Sequence, residues 1–368
     1  MVIKSPHNLK TINKNTSIRE TKEEELNNLL MSAKHTLCSC PTDENCVSDN
    51  INFSMNQTVC TVFKNSNVSV DIILREFIDY WDAVIENWFY NVIDIDQKPF
   101  FNLNFNGKYK FQDNYMPEPY WGDPFGSSIV VINYNPAGGD DSNPFTCRDC
   151  ANCPKTRMVS YVKQHKYSEL ALQFPIIEED PNNCLDFLRK YPGRRWWLTK
   201  KEWIDRFVSI GSAQNNNCSK NNENKKPFAI ELCGWHSAKW SSNFNQILQN
   251  NKALYKSVII HFLLPMLAAI KKSDLHLGVC VGKRFGDIFS RIGNDVTCNI
   301  PLKTKCKYVK DNGLKPNNKE RYYRVYQICN EFIINTWSIG SNKHPSDEYK
   351  QFEKDLIEAI NSMRKTIP

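Results

Sequence analysis

From about Val70 to Val92, hydrophobic residues recur at helical spacing. Ile72, Ile73, Phe77, Trp81, Val84, Ile85 and Trp88 share one side of a 3.6-residue repeat, which predicts a long amphipathic helix. The pattern then changes. Within Ser128–Tyr134 the run Ile129-Val130-Val131-Ile132 is unbroken, as expected of a strand covered on both faces. It ends in a turn, Asn135-Pro136-Ala137-Gly138-Gly139. A second strand is predicted over Phe228–Cys233 and a third over His276–Val281, closed by Gly282. An apolar helix around Tyr255–Lys271 precedes the third strand, and Phe285, Ile288, Phe289 and Ile292 predict another helix after it. Tyr322–Ile328 and Phe332–Ile339 read as a hairpin around Cys329-Asn330. The last helix is predicted to begin after Ser346, which can cap it. Asp347 and Glu348 suit its positive end, and Tyr349, Phe352, Leu356, Ile360 and Met363 form its buried stripe.

Strands separated by helices predict an α/β fold with a mostly parallel sheet and helices on both faces. In such sheets the ligand lies beyond the carboxyl ends of the strands. Residues 1–68, rich in Asn, Thr, Ser and Lys with a short helical pattern around Glu23–Ala33, read as an N-terminal extension, partly disordered or helical. Residues 69–368 then form the folded domain, with insertions near 140–226 and 300–322. Gln214–Lys226 is Asn- and Lys-rich, and Pro301–Arg324 carries eight basic residues against two acidic ones.

Composition narrows the class. The 368 residues are 41% hydrophobic and 24% charged, which suits a packed core. Lys plus Arg exceed Asp plus Glu by 47 to 40, a net +7 that permits a polyanionic partner without requiring one. Met1–Lys10 lacks the apolar centre of a secretory signal, so an intracellular protein, cytoplasmic or nuclear, is expected. Val258–Ile270 is too short to span a bilayer and holds His261 and Pro265, so a buried helix is expected and no membrane partner. The 14 cysteines are then thiols or metal ligands rather than a disulfide framework. Cys147, Cys150 and Cys153 have tight metal-ligand spacing. A zinc site would need a fourth ligand, from His165, Cys184, Cys38, Cys40 or Cys46. Reduced thiols are the favoured reading, and no cofactor is expected, with zinc or an iron–sulfur cluster as the alternative.

Five segments, making four motifs, carry a family resemblance. Pro119-Tyr120-Trp121-Gly122-Asp123-Pro124 precedes the first strand, and Asn133-Tyr134-Asn135-Pro136-Ala137-Gly138-Gly139 follows it. Ile230-Glu231-Leu232-Cys233-Gly234-Trp235 ends the second strand. Val279-Cys280-Val281-Gly282-Lys283-Arg284-Phe285 runs from the third strand into a helix, and His344-Pro345-Ser346 precedes the last helix. In this order the segments resemble the motifs of the uracil-DNA glycosylase superfamily, nearest in pattern to the single-strand-selective monofunctional type. The resemblance spans about Pro117 to the C-terminus. Asn133 and Ala137 stand where that family usually has glycines, and Gly340–Lys343 separates His344 from its strand end.

The resemblance implies a three-layer α/β/α sandwich and a monomeric DNA glycosylase that hydrolyses the bond between sugar and an everted base. Asn135 matches the residue that orients water, with Asp140 and its neighbour Asp141 as alternative activators. His344 matches the histidine that donates to the base carbonyl; Ser341, Asn342 or Lys343 are its rivals for DNA contact. Phe145 matches the stacking aromatic, with Tyr134 as rival. His236 is a candidate for contact with base or phosphate, or for a structural role.

Glu231 stands where the family commonly has Asn. A carboxylate cannot donate to uracil O4, but it accepts from an exocyclic amine, and when protonated it also donates. A cytosine-like or modified substrate is therefore expected, as in defence against foreign modified DNA such as viral DNA. Uracil repair remains the alternative. Arg189–Arg206 holds seven basic residues among Tyr191, Trp196, Trp197 and Trp203, and Arg194 and Arg195 are expected to hold phosphate. A non-catalytic nucleic-acid-binding protein of the same fold and a metal-stabilised interaction protein are the competing readings.

Overall fold

A computed structural model describes residues 69–101, 103, 111–134, 136, 154–173, 188, 201, 204–211, 226–236, 251–281, 283–296, 323–336 and 350–367. In chain order, helices α1 (Val70–Phe89) and α2 (Lys98–Phe101) precede strands β1 (Tyr120–Trp121) and β2 (Val130–Asn133). Helices α3 (Pro154–Gln164) and α4 (Tyr167–Ala171) come next, then β3 (Phe228–Glu231). Helix α5 (Lys252–Val258), a π turn (Ile259–Leu263) and α6 (Leu264–Lys272) lead to β4 (Leu277–Val281). Helix α7 (Lys283–Ile292), β5 (Asn294–Asp295), β6 (Tyr323–Ile328), β7 (Glu331–Thr336) and α8 (Lys350–Lys365) complete the fold.

The strands form one seven-stranded sheet in the order β1-β3-β2-β4-β7-β6-β5. Its centre is parallel: β3 with β2, β2 with β4, and β4 with β7. Its edges are antiparallel: β1 on β3, β6 on β7, and β5 on β6. The sheet is therefore mixed rather than mostly parallel. The hairpin turns the chain back because Cys329 and Asn330 both take positive φ, 48° and 71°, as a two-residue primed turn requires. Two-residue strands such as β1 and β5 carry no periodicity, which is why the apolar pattern does not reveal them.

Helices cover both faces. A side chain on Gly278 would strike Ile270 of α6 and Ile132 of β2. Cys280 and Asn335 point the same way, and Asn335 lies against Gly286 of α7. The opposite-facing Leu277 lines a small cavity with Gly211 and with Ile357 and Ile360 of α8. Arg206, in the helical segment 204–211, donates to the fully buried Glu353 of α8 at 2.7 Å, tying the two together.

α1 buries Ile73, Leu74, Phe77, Trp81, Val84, Ile85 and Trp88, so Leu74 takes the inward place expected of Ile72. It stops before Val92 because Asn91 adopts φ 60° and Val92 N–H bonds back to Asn87. Asp82 of α1 accepts from both the N–H and the hydroxyl of Ser168, at 2.9 and 2.7 Å, and so satisfies the start of α4. Asn251 caps α5 through Leu254 N–H, so the helix begins at Lys252, three residues before the expected start. The π turn lies directly upstream of Pro265, whose ring and missing N–H a regular helix would not accommodate. Ala253–Lys272 is long and apolar enough to cross a membrane, with mean hydropathy 1.8, but 78% of it is buried within the fold.

Gly122 follows β1 with φ +90°, and its N–H bonds to Ala171 O at 2.8 Å. A Cβ there would lie 2.5 Å from Pro227 O, a backbone atom that cannot step aside. Gly122→Ala is expected to destabilise the chain by roughly 1–3 kcal/mol, measured by denaturant unfolding.

Candidate functional site

β2 and β3 end level, with Asn133 opposite Glu231. Their pairing continues two residues further through Leu232 N–H to Asn133 O, 2.8 Å, and Cys233 N–H to Tyr134 O, 2.9 Å. At this edge the apolar run gives way to polar side chains. Asn133 Nδ2 donates to Glu231 Oε1 at 3.0 Å. Glu231 is only 9% exposed. Its second oxygen, Oε2, is buried with no hydrogen-bond partner among the described residues.

Burial pushes the Glu231 carboxyl from its usual 4.5 up to about 8; the Asn133 amide offsets part of the effect, and the Glu118 carboxyl adds to it. Glu231 therefore carries a proton at neutral pH. It is then both a donor and an acceptor, which an ionised carboxylate is not.

Glu118 reaches this edge because residues 112–121 run antiparallel beside 229–236. Glu231 N–H bonds to Pro119 O at 2.9 Å, Glu118 N–H to Gly234 O at 2.8 Å, and Gln112 N–H to His236 O at 2.9 Å. Gly234 admits this approach: a Cβ would lie 2.8 Å from the Trp81 ring and 3.0 Å from Pro119. Trp235 is fully buried and donates to Gln97 Oε1 at 3.0 Å.

His236 lies behind the edge, 1% exposed, with Nε2 3.2 Å from Glu118 Oε1 and its ring 5.3 Å from that of Tyr115. Tyr134 does lie at the edge, half-buried, with its ring stacked 3.9 Å from that of Phe285 at 7°. Phe285 in turn stacks on Phe289 at 5.4 Å. One face of Tyr134 is thus spent on the core.

The structure places Glu231 beside Asn133 at this edge, while Tyr134, the next residue along, turns to the opposite face of the sheet and packs on α7. Asn135, Asp140, Phe145, Arg194, Arg195, Ser341, Asn342, Lys343 and His344 lie outside the described residues, as do Cys147, Cys150 and Cys153. From the basic stretch 189–206, Lys201 pairs with Asp205 at 2.7 Å and Arg206 turns inward to Glu353, so Arg206 belongs to the fold rather than to a phosphate-binding surface. Cys233 and Cys280 are buried thiols. Among the described residues no group of three or more His, Cys, Asp or Glu is arranged to hold a metal ion.

Two residues of this edge were not singled out by their sequence as parts of the site. Asn133 is the polar residue that closes an apolar run, and Glu118 sits two residues before β1. Only the strand register shows that both reach Glu231. Compared with known proteins, the chain matches no family model, no curated protein and no solved structure.

Because the raised pKa belongs to an acid, the folded state holds a proton between pH 4.5 and about 8 that the unfolded state has released. The stability this contributes is full below 4.5 and is lost as pH rises through 8. Glu231→Gln, which cannot ionise, is expected to lose less stability than wild type from pH 6 to pH 9. The difference should be roughly 2–3 kcal/mol in denaturant unfolding at the two pH values.

Proposed function

We propose that this chain hydrolyses an N-glycosidic bond to a nucleobase. More particularly, we infer a DNA glycosylase of the uracil-DNA glycosylase type, with a three-layer α/β/α sandwich, that removes a flipped-out cytosine-like, modified or damaged base. The observation that carries the reading is Glu231: a buried, half-satisfied carboxyl at the carboxyl edge of a parallel sheet centre, beside the switch in strand order where such folds bind ligands. The motif residues continue from the same edge in the chain. Asn135 directly follows Tyr134, and Gly282 directly follows β4.

In the proposed reaction, Asn135 orients a water molecule at the sugar carbon, with Asp140 as its alternative partner. The C–N bond breaks with its electron pair going to the base, and the water oxygen bonds to the sugar carbon. His344 donates a hydrogen bond to the base carbonyl as negative charge develops there. The departing base takes up a proton, and an abasic site remains. Arg194, Arg195 and Lys343, with Ser341 and Asn342, hold the strand, and Phe145 stacks on the base. No cofactor is needed.

The test is incubation of the full chain with oligonucleotides carrying cytosine, 5-modified cytosines or uracil, followed by cleavage at abasic sites. A cytosine-type base is expected to be released. Asn135→Ala is expected to lower single-turnover excision at least about 100-fold while DNA affinity changes by no more than about threefold. DNA bound without abasic sites from any substrate would leave a binding protein, not an enzyme.

A further inference from the structure

We propose that Asn133 and Glu231 form a reader for the amidine edge of a base, a ring-nitrogen acceptor beside an exocyclic amine, with Asn133 fixing which carboxyl oxygen donates. The inference deepens the reading of this edge as a base pocket and rests on it.

The argument begins with the single hydrogen bond the pair makes. Asn133 Nδ2 donates to Oε1 at 3.0 Å. An amide N–H bonds more strongly to a carbonyl oxygen than to a hydroxyl oxygen. The bond therefore selects Oε1 as the carbonyl of the neutral acid and leaves the proton on Oε2. Oε2 is the buried atom without a partner among the described residues. A buried hydroxyl without an acceptor calls for a partner, and at a strand end a ligand atom is one that would supply it.

The groups around Glu231 favour the neutral form. Glu118 faces it from the segment before β1 and lies 3.2 Å from His236 Nε2. Tyr167 of α4, whose hydroxyl is pushed well up by burial, and Cys233 after β3, likewise pushed up by burial, also sense its charge. Glu118, Tyr167 and Cys233 are acids, so none of the three is a cation that would draw the proton off. Oε2–H then donates to a ring nitrogen while Oε1, with a second lone pair, accepts from the adjacent amine. The partner must present acceptor and donor in that order. Cytosine N3 with N4–H does so, as does adenine N1 with N6–H; uracil, with N3–H beside O4, presents the reverse.

Binding of free bases tests this without requiring excision. Cytosine, adenine, 2-aminopyridine as the minimal amidine, and uracil are titrated into the full chain and followed by calorimetry from pH 6 to pH 10. Cytosine or adenine, with 2-aminopyridine, is expected to bind at least about tenfold more tightly than uracil. The ratio of cytosine to adenine identifies which of the two the pocket admits. Wild-type affinity for the amidine is expected to fall about tenfold per pH unit above the Glu231 titration. Glu231→Gln keeps the same donor and acceptor positions without a titrating proton. It should bind within about threefold of wild type at pH 7 and show no alkaline fall. Asn133→Leu, with melting as the check on folding, should bring cytosine and uracil within about threefold of each other.

Uracil bound as well as cytosine by wild type, or an alkaline fall that persists in Glu231→Gln, would overturn the proposal. Amidine binding with no abasic product from any DNA would support the reader and overturn only the enzyme reading. Uracil excision with no amidine preference would do the reverse.

Discussion

The level ending of the parallel strands is the constraint on which the candidate site depends. β2 is the middle of the parallel centre: the chain goes from it to β3 on one side, then returns past it to β4 on the other. Parallel register keeps Asn133 beside Glu231 and Ile132 beside Ile230 and Cys280, so polarity changes on neighbouring strands at the same height. One residue inward, Ile132, Ile230 and Cys280 are all fully buried. One residue outward, the sheet presents an amide and a carboxyl. A slip of one residue between β2 and β3 would turn each strand's side chains to the other face and separate the pair.

Three buried acids show what is unusual about this edge. Glu353 is fully buried and bonds to the Arg206 guanidinium, so its charge is matched. Glu118 is 2% exposed and meets His236. Glu231 is buried to a similar degree, yet the partner fixed for it is a neutral amide on one oxygen. A buried carboxylate with no cation costs so much that the group retains its proton instead. The first two acids join elements of the fold. Glu231 joins β2 to β3 through one oxygen, and its other oxygen has no partner among the described residues.

Most of the architecture could be read from periodicity because its elements are amphipathic or wholly apolar. The stripe from Ile73 to Trp88, the run Ile129–Ile132, the hairpin at Cys329-Asn330 and the last helix with Leu356 and Ile360 lie where the pattern puts them. The antiparallel edges were harder. β1 is too short to show alternation, and a helical or apolar repeat says nothing about strand direction. Glu231 was visible as a carboxylate in an apolar context. Its protonation was not, because that depends on Glu118, more than a hundred residues earlier, and on burial by elements distant in the chain. His236, a polar residue beside a motif, lies against Tyr115 and Glu118, neighbours that its place in the sequence does not reveal. Local pattern cannot distinguish a histidine that faces a ligand from one that faces a buried acid.

On the proposed reading, the proton on Glu231 also bears on catalysis. A base that leaves with the bonding electron pair gains negative charge, most of it near its carbonyl oxygen and ring nitrogens. An ionised carboxylate against that ring, in a site of low dielectric, would oppose bond breaking. A neutral acid does not, and its hydroxyl donates toward a ring nitrogen whose basicity rises as the bond breaks. The interaction is therefore stronger in the transition state than in the bound substrate, which is the condition for an interaction to accelerate a reaction rather than only tighten binding. Burial and Glu118 outweigh the single amide bond from Asn133, which by itself favours the charged form, and leave Glu231 neutral. The same balance makes recognition and turnover depend on one protonation state, so a substitution that restores the charge of Glu231 near neutral pH would impair both together.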